Sequence, residues 1–261
     1  MRDDLSPAAQ PARRARPAVW SHRGKLSADP TEPENTLEAF ARASLADVDG
    51  IELDTWLTTD GAFVVHHDRD LHVGSIDALR LEELPASVPG LAAALAACAV
   101  ATVDVELKVA PETTDAEADR LGVALAHVLL AGHTDLVGEG RLVVSSFSRA
   151  ALDAVRRTAD EATDVTPAAT AGVGRALPTG YLVGELPGAG ELADIVRSGH
   201  SAVNVAHRSL DAAGVARCRD AGLEVVVWTA DEPDDVRRLY RLGVDVLISN
   251  DPVGAIRLRD V

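Results

Sequence analysis

Residues 224–248 read EVVVWTADEPDDVRRLYRLGVDVLI, and their pattern predicts two strands with a helix between them. The apolar run Glu224–Trp228 predicts a buried strand. Glu232–Leu242 follows with apolar residues at helical spacing, and Asp245–Ile248 is a second short apolar run. A strand, a helix and a strand in immediate succession are typical of a parallel sheet whose strands are joined by crossover helices.

The ends of the central helix carry ordinary helix signals. Thr229 or Asp231 can cap its N-terminus, and Pro233 fits its first turn, where a missing amide hydrogen costs little. Gly243 follows the last helical residue, a position where glycine commonly ends a helix in a left-handed conformation. This unit therefore has clear boundaries in the sequence.

The same alternation runs through almost the whole chain. Eight strands are predicted, at Ala18–His22, Gly50–Asp54, Ala101–Lys108, Arg141–Ser145, Thr179–Gly184, Ala202–Val205, Glu224–Trp228 and Asp245–Ile248. Helices are predicted after them, at Thr36–Leu45, Gly90–Ala97, Ala116–Leu130, Arg149–Arg157, Ala189–Ser198, Leu210–Ala221, Glu232–Leu242 and after Pro252. This α/β pattern predicts a single (β/α)₈ barrel, with a short extra hairpin strand, Ala62–His66, after strand 2. An open doubly wound sheet is the alternative, but it usually has a glycine-rich loop after its first strand, and this sequence has none.

Length and composition agree with one barrel domain. The chain has 261 residues, of which 47% are apolar and 25% charged, as in ordinary globular proteins. We expect residues 1–16 to form a disordered tail and residues 17–261 to form the barrel. Residues 160–176 are rich in Thr, Ala and Gly and predict a long loop.

Charge and the lack of targeting signals limit the partners. Lys plus Arg is 25 and Asp plus Glu is 41, giving a formal charge of −16, whereas a nucleic-acid-binding surface would be basic. The sequence has no apolar window of about 18 residues and no apolar run suited to a secretory signal. Cys98 and Cys218 are too few for a disulfide framework. We therefore expect a cytoplasmic protein with a small-molecule substrate, no nucleic acid partner and no stable membrane insertion, and find no signal for an oligomeric state.

Two predicted strands carry charged residues at alternate positions, which places them on one face of each strand. Glu52 and Asp54 share a face of the second strand, and Asp104, Glu106 and Lys108 share a face of the third. In a barrel such side chains reach the mouth at the C-terminal strand ends, where active sites of this fold lie. The alternative is a solvated polar face on an edge strand, and a closed barrel has no edge.

Three of these carboxylates, on Glu52, Asp54 and Glu106, would repel one another at the barrel mouth unless a cation lay between them. Ligation by oxygen alone suits Mg²⁺ or Ca²⁺, with Mn²⁺ as a further candidate. The sequence therefore predicts one divalent cation at this site.

Two histidines and two basic residues lie close to these carboxylates in the predicted barrel. His22 ends the first strand and His67 follows the extra strand, so both are candidates for general acid and base, although each could be an ordinary core or surface histidine. His66 is an alternative to His67 and faces the opposite side. Arg23 and Lys108 supply positive charge that suits phosphate oxygens, unless each forms only a surface ion pair.

Three further residues are candidates for supporting roles. Glu34 and Asn35 open the first helix and could face the mouth as partners of the site residues, although Asn35 or Thr36 is also a plausible N-cap. Trp228 ends the seventh strand and could form either a pocket wall or part of the core.

These motifs together resemble the signature of the glycerophosphodiester phosphodiesterases. The resemblance is carried by His22-Arg23-Gly24, Pro33-Glu34-Asn35-Thr36, Ala39-Phe40, Ile51-Glu52-Leu53-Asp54, Leu57-Thr58-Thr59-Asp60-Gly61, Val64-Val65, His67-Asp68, Val105-Glu106-Leu107-Lys108, Trp228-Thr229 and Gly243-Val244-Asp245. It extends from about residue 18 to residue 253, and the spacing of the whole set is specific although no single piece is.

The resemblance implies a TIM barrel that hydrolyses glycerophosphodiesters to sn-glycerol 3-phosphate and an alcohol. It implies that the three carboxylates hold the metal, that His22 and His67 are acid and base, and that Arg23 and Lys108 bind phosphate. A lysophospholipase D-like or sphingomyelinase D-like enzyme on the same barrel is the alternative. Other classes are a non-catalytic binding barrel and a sugar- or aldol-cleaving metal barrel, which would need a Schiff-base lysine or a different carboxylate spacing.

The chain departs from the family pattern in three places. Residues 71–89 are short and lack an Arg-Thr-Thr-like stretch that many members have after the His-Asp pair. The family's Trp-Thr-Val-Asn is here Trp228-Thr229-Ala230-Asp231, and its Thr-Asp-Xaa-Pro is Ser249-Asn250-Asp251-Pro252. We expect neither of these two changes to involve the metal ligands or the two histidines.

Overall fold

Eight parallel strands close into a barrel in the computed structural model, which describes residues 16–165 and 177–259. In chain order the strands are β1 (Ala18–His22), β2 (Gly50–Leu57), β3 (Phe63–Val65), β4 (Asp70–Leu71), β5 (Gly74–Ser75), β6 (Thr102–Leu107), β7 (Leu142–Ser146), β8 (Thr179–Val183), β9 (Ala202–Ala206), β10 (Glu224–Trp228) and β11 (Val246–Ser249). β1 pairs in parallel with both β2 and β11, which closes the ring. β3 lies outside the ring, antiparallel to β2, and β4 and β5 form a separate small pair.

Helices surround this ring. They are α1 (Leu37–Ser44), α2 (Leu91–Ala97), α3 (Asp115–Gly132), α4 (Thr134–Gly138), α5 (Arg149–Val165), α6 (Ala189–Arg197), α7 (Ala212–Asp220), α8 (Pro233–Leu242) and α9 (Pro252–Arg259). Every ring strand is followed by a helix, so the predicted (β/α)₈ barrel and its extra hairpin strand are confirmed. Among the helices of the described ranges, none has an apolar stretch long enough to cross a membrane.

The alternation along the strands determines where the core and the site lie. Ile51 and Leu53 of β2 are fully buried and belong to the same apolar cluster as Phe40 of α1 and Leu125 of α3. The core of this half of the molecule therefore lies between the barrel and its helices. The alternate residues of the same strand face the inside of the barrel, because successive side chains of a strand point to opposite faces.

Two local expectations were wrong. Residues 160–165 are the last turns of α5 rather than part of a loop, and Asp160 there forms an ion pair with Arg156 one turn earlier. Residues 166–176 of that expected loop lie outside the described ranges, as do residues 1–15 of the expected tail. Neither Thr229 nor Asp231 caps α8, whose N-cap residue is Glu232, without a side-chain capping bond. Gly243 ends the same helix in the left-handed conformation, at φ 73°, as its position predicts.

Candidate active site

Neighbouring strands bring the predicted acidic residues together. β1, β2 and β6 lie side by side, and their register places His22 beside Glu52 and Asp54 beside Glu106. One oxygen from each of Glu52, Asp54 and Glu106 lies within 4.8 Å of the others. The structure therefore brings together three carboxylates from two strands.

Lys108 is the nearest positive charge to these three carboxylates, which we call the acidic triad. Its Nζ lies 2.7 Å from Asp54 Oδ1 and 2.6 Å from Glu106 Oε1. Burial alone would lower the pKa of Lys108, but Asp54 and Glu106 raise it to about 12, so the ammonium group stays charged. It neutralises only part of the charge of three buried carboxylates.

Burial and mutual repulsion perturb the triad. They raise the pKa of Glu106 to about 7 and the pKa of Glu52 well above its ordinary range. Burial raises the pKa of Asp54 too, but Lys108 and Arg23 outweigh it and lower the pKa to about 2. Within the described ranges, no hydrogen-bond donor reaches the buried Oε1 of Glu52. An all-oxygen cluster with excess negative charge and an unpaired oxygen could bind a divalent cation.

Asp54 is also held from the first loop of the barrel. Asn35 Nδ2 donates to Asp54 Oδ2 at 2.7 Å, and Arg23 Nε lies 3.2 Å from the same oxygen. Arg23 Nη1 donates to Glu34 Oε1 at 2.7 Å. Arg23 and Asn35 both have positive φ, at 57° and 52°, a conformation that non-glycine residues adopt mainly where surrounding contacts enforce it. Thr36 is the N-cap of α1, which leaves Asn35 for Asp54.

His22 lies at the end of β1. Its ring contacts Asn250, the residue that follows β11, and β11 pairs with the side of β1 that is away from β2. Its Nδ1 is 2.8 Å from Asn250 Oδ1, and its Nε2 is 3.8 Å from Glu52 Oε2. Burial and the Arg23 charge lower the pKa of His22 to about 4. Asn250 Nδ2 in turn donates to Asp231 at 2.8 Å. The expectation that the departures at 231 and 250 avoid the histidines was therefore wrong, because β11 packs beside β1 and brings Asn250 to His22.

His67 reaches the same cavity from outside the ring. It follows β3, lines the cavity with His22, and its Nδ1 lies 2.8 Å from Asp68 Oδ1. Trp56 Nε1 donates to the His67 carbonyl at 3.2 Å. The His66 ring nitrogen Nδ1 instead lies 2.8 Å from the Asp68 carbonyl oxygen.

The cavity has a volume of about 250 Å³, with a charged side and an apolar side. The apolar side includes Trp228, Leu182 and Ile248. Phe147 packs edge-on against Trp228, with ring centroids 5.6 Å apart, and Trp228 Nε1 donates to the Asn204 carbonyl at 2.9 Å. Trp228 thus forms a wall of the cavity, whereas the sequence contains no signal that would have singled out Phe147.

Asp104 forms part of the cavity floor. It is fully buried, and burial raises its pKa to about 7. Asp104 lies two residues before Glu106 on β6, so both side chains point to the inner face of the barrel. Its position therefore follows from the sequence, although Asp104 was not among the predicted site residues.

The fold and the acidic centre define a (β/α)₈ barrel with a candidate cation site at its mouth, and comparison with known proteins gives the family. Residues 22–253 match the model of the glycerophosphoryl diester phosphodiesterase family. The chain therefore belongs to this family and is an enzyme of that class, a phosphoric diester hydrolase.

Two relatives agree with this assignment. The chain is 27% identical over 241 residues to a glycerophosphodiester phosphodiesterase of Arabidopsis thaliana, covering 84% of this chain and 66% of that protein. It is 27% identical over 268 residues to one of Caldanaerobacter subterraneus, covering 92% and 96%.

Two solved structures have the same fold. A putative glycerophosphoryl diester phosphodiesterase from Silicibacter pomeroyi has a TM-score of 0.76 at 24% identity, over 95% of this chain and 94% of that one. A phosphodiesterase of Oleispira antarctica, solved with the product sn-glycerol-3-phosphate, has a TM-score of 0.71 at 22% identity, over 94% and 98%.

Proposed function

We propose that this enzyme hydrolyses glycerophosphodiesters to sn-glycerol 3-phosphate and an alcohol, with one divalent cation and two histidines as acid and base. The observation that carries the proposal is the buried acidic triad at the barrel mouth, with Arg23, Lys108, His22 and His67 around it. The product bound in the Oleispira antarctica enzyme supports the same product here.

The acidic triad is the proposed cation site. Its ligands would be carboxylate oxygens of Glu52, Asp54 and Glu106, which suit Mg²⁺, Ca²⁺ or Mn²⁺. When bound, the cation would neutralise phosphate charge and act as a Lewis acid.

Arg23 and Lys108 bind the phosphate in this proposal. Glu34 and Asp54 hold the Arg23 guanidinium, and Lys108 reaches the cavity from the end of β6. Arg23, Lys108 and a bound divalent ion would together offset the carboxylates of the site, so that a phosphate meets positive charge at contact distance in a protein whose formal charge is −16. Such a local field dominates at contact distance because salt screens charges farther away than about 10 Å.

The two histidines divide the proton transfers. One removes the proton of the attacking hydroxyl, and the other protonates the leaving alkoxide, so they must start in opposite protonation states. Their contacts differ: His22 Nδ1 lies beside the neutral amide of Asn250, and His67 Nδ1 lies beside the Asp68 carboxylate.

The first nucleophile in this proposal is the glycerol hydroxyl next to the phosphate. Intramolecular attack gives a cyclic phosphate, which water then opens, and effective molarities reach about 10⁵ M or more in well-oriented cases. In the described ranges, the recorded side-chain partners of His22 and His67 include no serine or cysteine that could act as a covalent nucleophile. A positioned substrate hydroxyl therefore fits the site better than a mechanism through a covalent phosphoryl-enzyme on serine or cysteine.

A single substrate panel tests this function. The purified chain is dialysed against EDTA and assayed with Mg²⁺, Ca²⁺ or Mn²⁺ on glycerophosphocholine, glycerophosphoethanolamine, lysophosphatidylcholine and sphingomyelin. We expect release of sn-glycerol 3-phosphate from the first two only when a divalent ion is present. Glu106→Gln should raise the ion concentration needed for activity, because it removes one anionic ligand.

One further arm of the panel tests the nucleophile. Glycerophosphocholine lacking the 2-hydroxyl should turn over at least about 10³-fold more slowly, because the intramolecular route is lost. It should still inhibit competitively, since its phosphate contacts are unchanged. Full turnover in excess EDTA would refute the proposed metal dependence. A preference for lysophosphatidylcholine or sphingomyelin would support the alternative phospholipase D-like enzyme. Equal turnover of the deoxy analogue would show that water is the nucleophile.

A further inference from the structure

Asp231 fixes the orientation of the Asn250 amide. Its Oδ1 accepts from Ser249 Oγ at 3.0 Å and from the Asn250 backbone amide at 2.7 Å, and its Oδ2 accepts from Asn250 Nδ2 at 2.8 Å. An ionised carboxylate can only accept hydrogen bonds, so it must face the amide nitrogen of Asn250 and not the amide oxygen. The amide oxygen Oδ1 is therefore turned away from Asp231.

That amide oxygen determines which nitrogen of His22 carries hydrogen. Oδ1 of Asn250 is 2.8 Å from His22 Nδ1, and an amide oxygen can only accept, so Nδ1 must donate. In a neutral ring Nε2 then keeps its lone pair. Nε2 lies 3.8 Å from Glu52 Oε2, beyond hydrogen-bond distance, so it does not donate to that carboxylate.

We propose that Asp231 and Asn250 are a positioning pair that holds His22 in the tautomer with hydrogen on Nδ1 and directs the free Nε2 to the substrate. The consequence for the reaction rests on the proposed function. There, the substrate O–H bond breaks with transfer of the proton to Nε2 while the new O–P bond forms. The P–O bond to the leaving group breaks, and the leaving alkoxide takes a proton from His67.

The contact between positions 231 and 250 joins one carboxylate to one amide. With the pair exchanged, an aspartate at 250 would still accept from His22 Nδ1, and an asparagine at 231 would donate its amide to that aspartate. The exchanged pair should therefore preserve the same tautomer.

The test uses the full chain with ¹⁵N-labelled histidine, Mg²⁺ present, and NMR at a pH where the ring is neutral. The spectrum of His22 is assigned by its loss in His22→Gln, and its two nitrogen shifts report the tautomer. Asn250→Ala removes the acceptor. Asp231→Asn removes the group that orients the amide, and the double variant Asp231→Asn with Asn250→Asp is the matched rescue.

We expect Nδ1–H in the wild type and in the double variant. Asn250→Ala and Asp231→Asn should both show the Nε2–H form or a mixture, with kcat reduced about 10- to 100-fold and KM little changed. Outer partners that orient a histidine ligand of a metal typically contribute this much, and Asn250 orients His22 in the same way although His22 is not a ligand. The double variant should recover most of the loss.

Nε2–H in the wild type, or Nδ1–H retained in both single variants, would overturn the proposal. If Asn250→Ala does not fold, Asp231→Asn and the double variant still test the proposal, because both keep a polar side chain at positions 231 and 250. The NMR readout needs no turnover. A shift of tautomer in a protein that cleaves none of the diesters would therefore refute the proposed function and leave the positioning pair intact.

Discussion

His22 and His67 face the same cavity, but different kinds of structure hold them. His22 ends a ring strand that pairs with a neighbour on both sides. Its side chain is 17% exposed, and its Nδ1 contacts Asn250. His67 follows a strand outside the ring, its side chain is 39% exposed, and its partner Asp68 is 73% exposed. One histidine is thus fixed by backbone register and the partly buried amide of Asn250, and the other is fixed by a loop.

Arg69 shows how that loop is held. Its Nε donates to Asp77 at 2.9 Å and its Nη1 to Glu112 at 2.5 Å, so it links the loop after His67 to the one after Lys108. Exposed ion pairs of this kind contribute little to stability, because solvent screens them. The difference between the two histidines therefore predicts a rigid side of the site and a more adaptable one.

The largest effect is expected on the rigid side. His22→Ala should lower kcat by about 10³- to 10⁴-fold, the upper range for a positioned acid or base, because nothing mobile can take its place. Added imidazole should restore less activity than in His67→Ala, since the His22 side chain is 17% exposed against 39% for His67. The measurement is kcat with and without imidazole, and circular dichroism controls for folding. Strong rescue by imidazole would show that the β1 end is as accessible as the loop.

A smaller loss is expected on the adaptable side. His67→Ala should lower kcat by about 10²-fold, because water can reach the exposed position and partly replace the imidazole. Added imidazole should recover a measurable part of the activity in a saturable manner. A loss equal to that of His22→Ala, without rescue, would contradict the difference between the two sides.

The same difference explains how much the sequence could predict. Strand alternation fixes which residues share a face, so the sequence alone was enough to place Glu52, Asp54 and Glu106 on the inner side of a barrel. The eight strands and their helices followed from the same periodicity. These features depend only on neighbours along one strand or helix.

Contacts between distant segments could not be predicted in this way. The contact of Asn250 with His22 joins residues 228 positions apart and depends on β11 closing the ring beside β1. Phe147 enters the cavity only because β7 ends next to it, and Arg156 Nη1 of α5 donates to the Leu177 carbonyl, 21 residues away. Such contacts depend on how the barrel closes and on side-chain geometry, which the local pattern does not contain.

The smallest effect is expected at His66, and it tests the one-residue placement of the His-Asp pair. The His66 backbone amide donates to the Asp54 carbonyl at 3.1 Å, and a substitution to alanine keeps that bond. Only the ring contact with the Asp68 carbonyl is lost, which costs about 0.5–1.5 kcal/mol of stability for a hydrogen bond of this type. His66→Ala should therefore lower the melting temperature slightly and change kcat by less than about threefold. The kcat values of His66→Ala and His67→Ala are compared at the same metal and substrate concentrations. A larger loss of kcat in His66→Ala than in His67→Ala would mean that His66 is the reacting histidine, and that the loop presents the opposite side of β3 to the substrate.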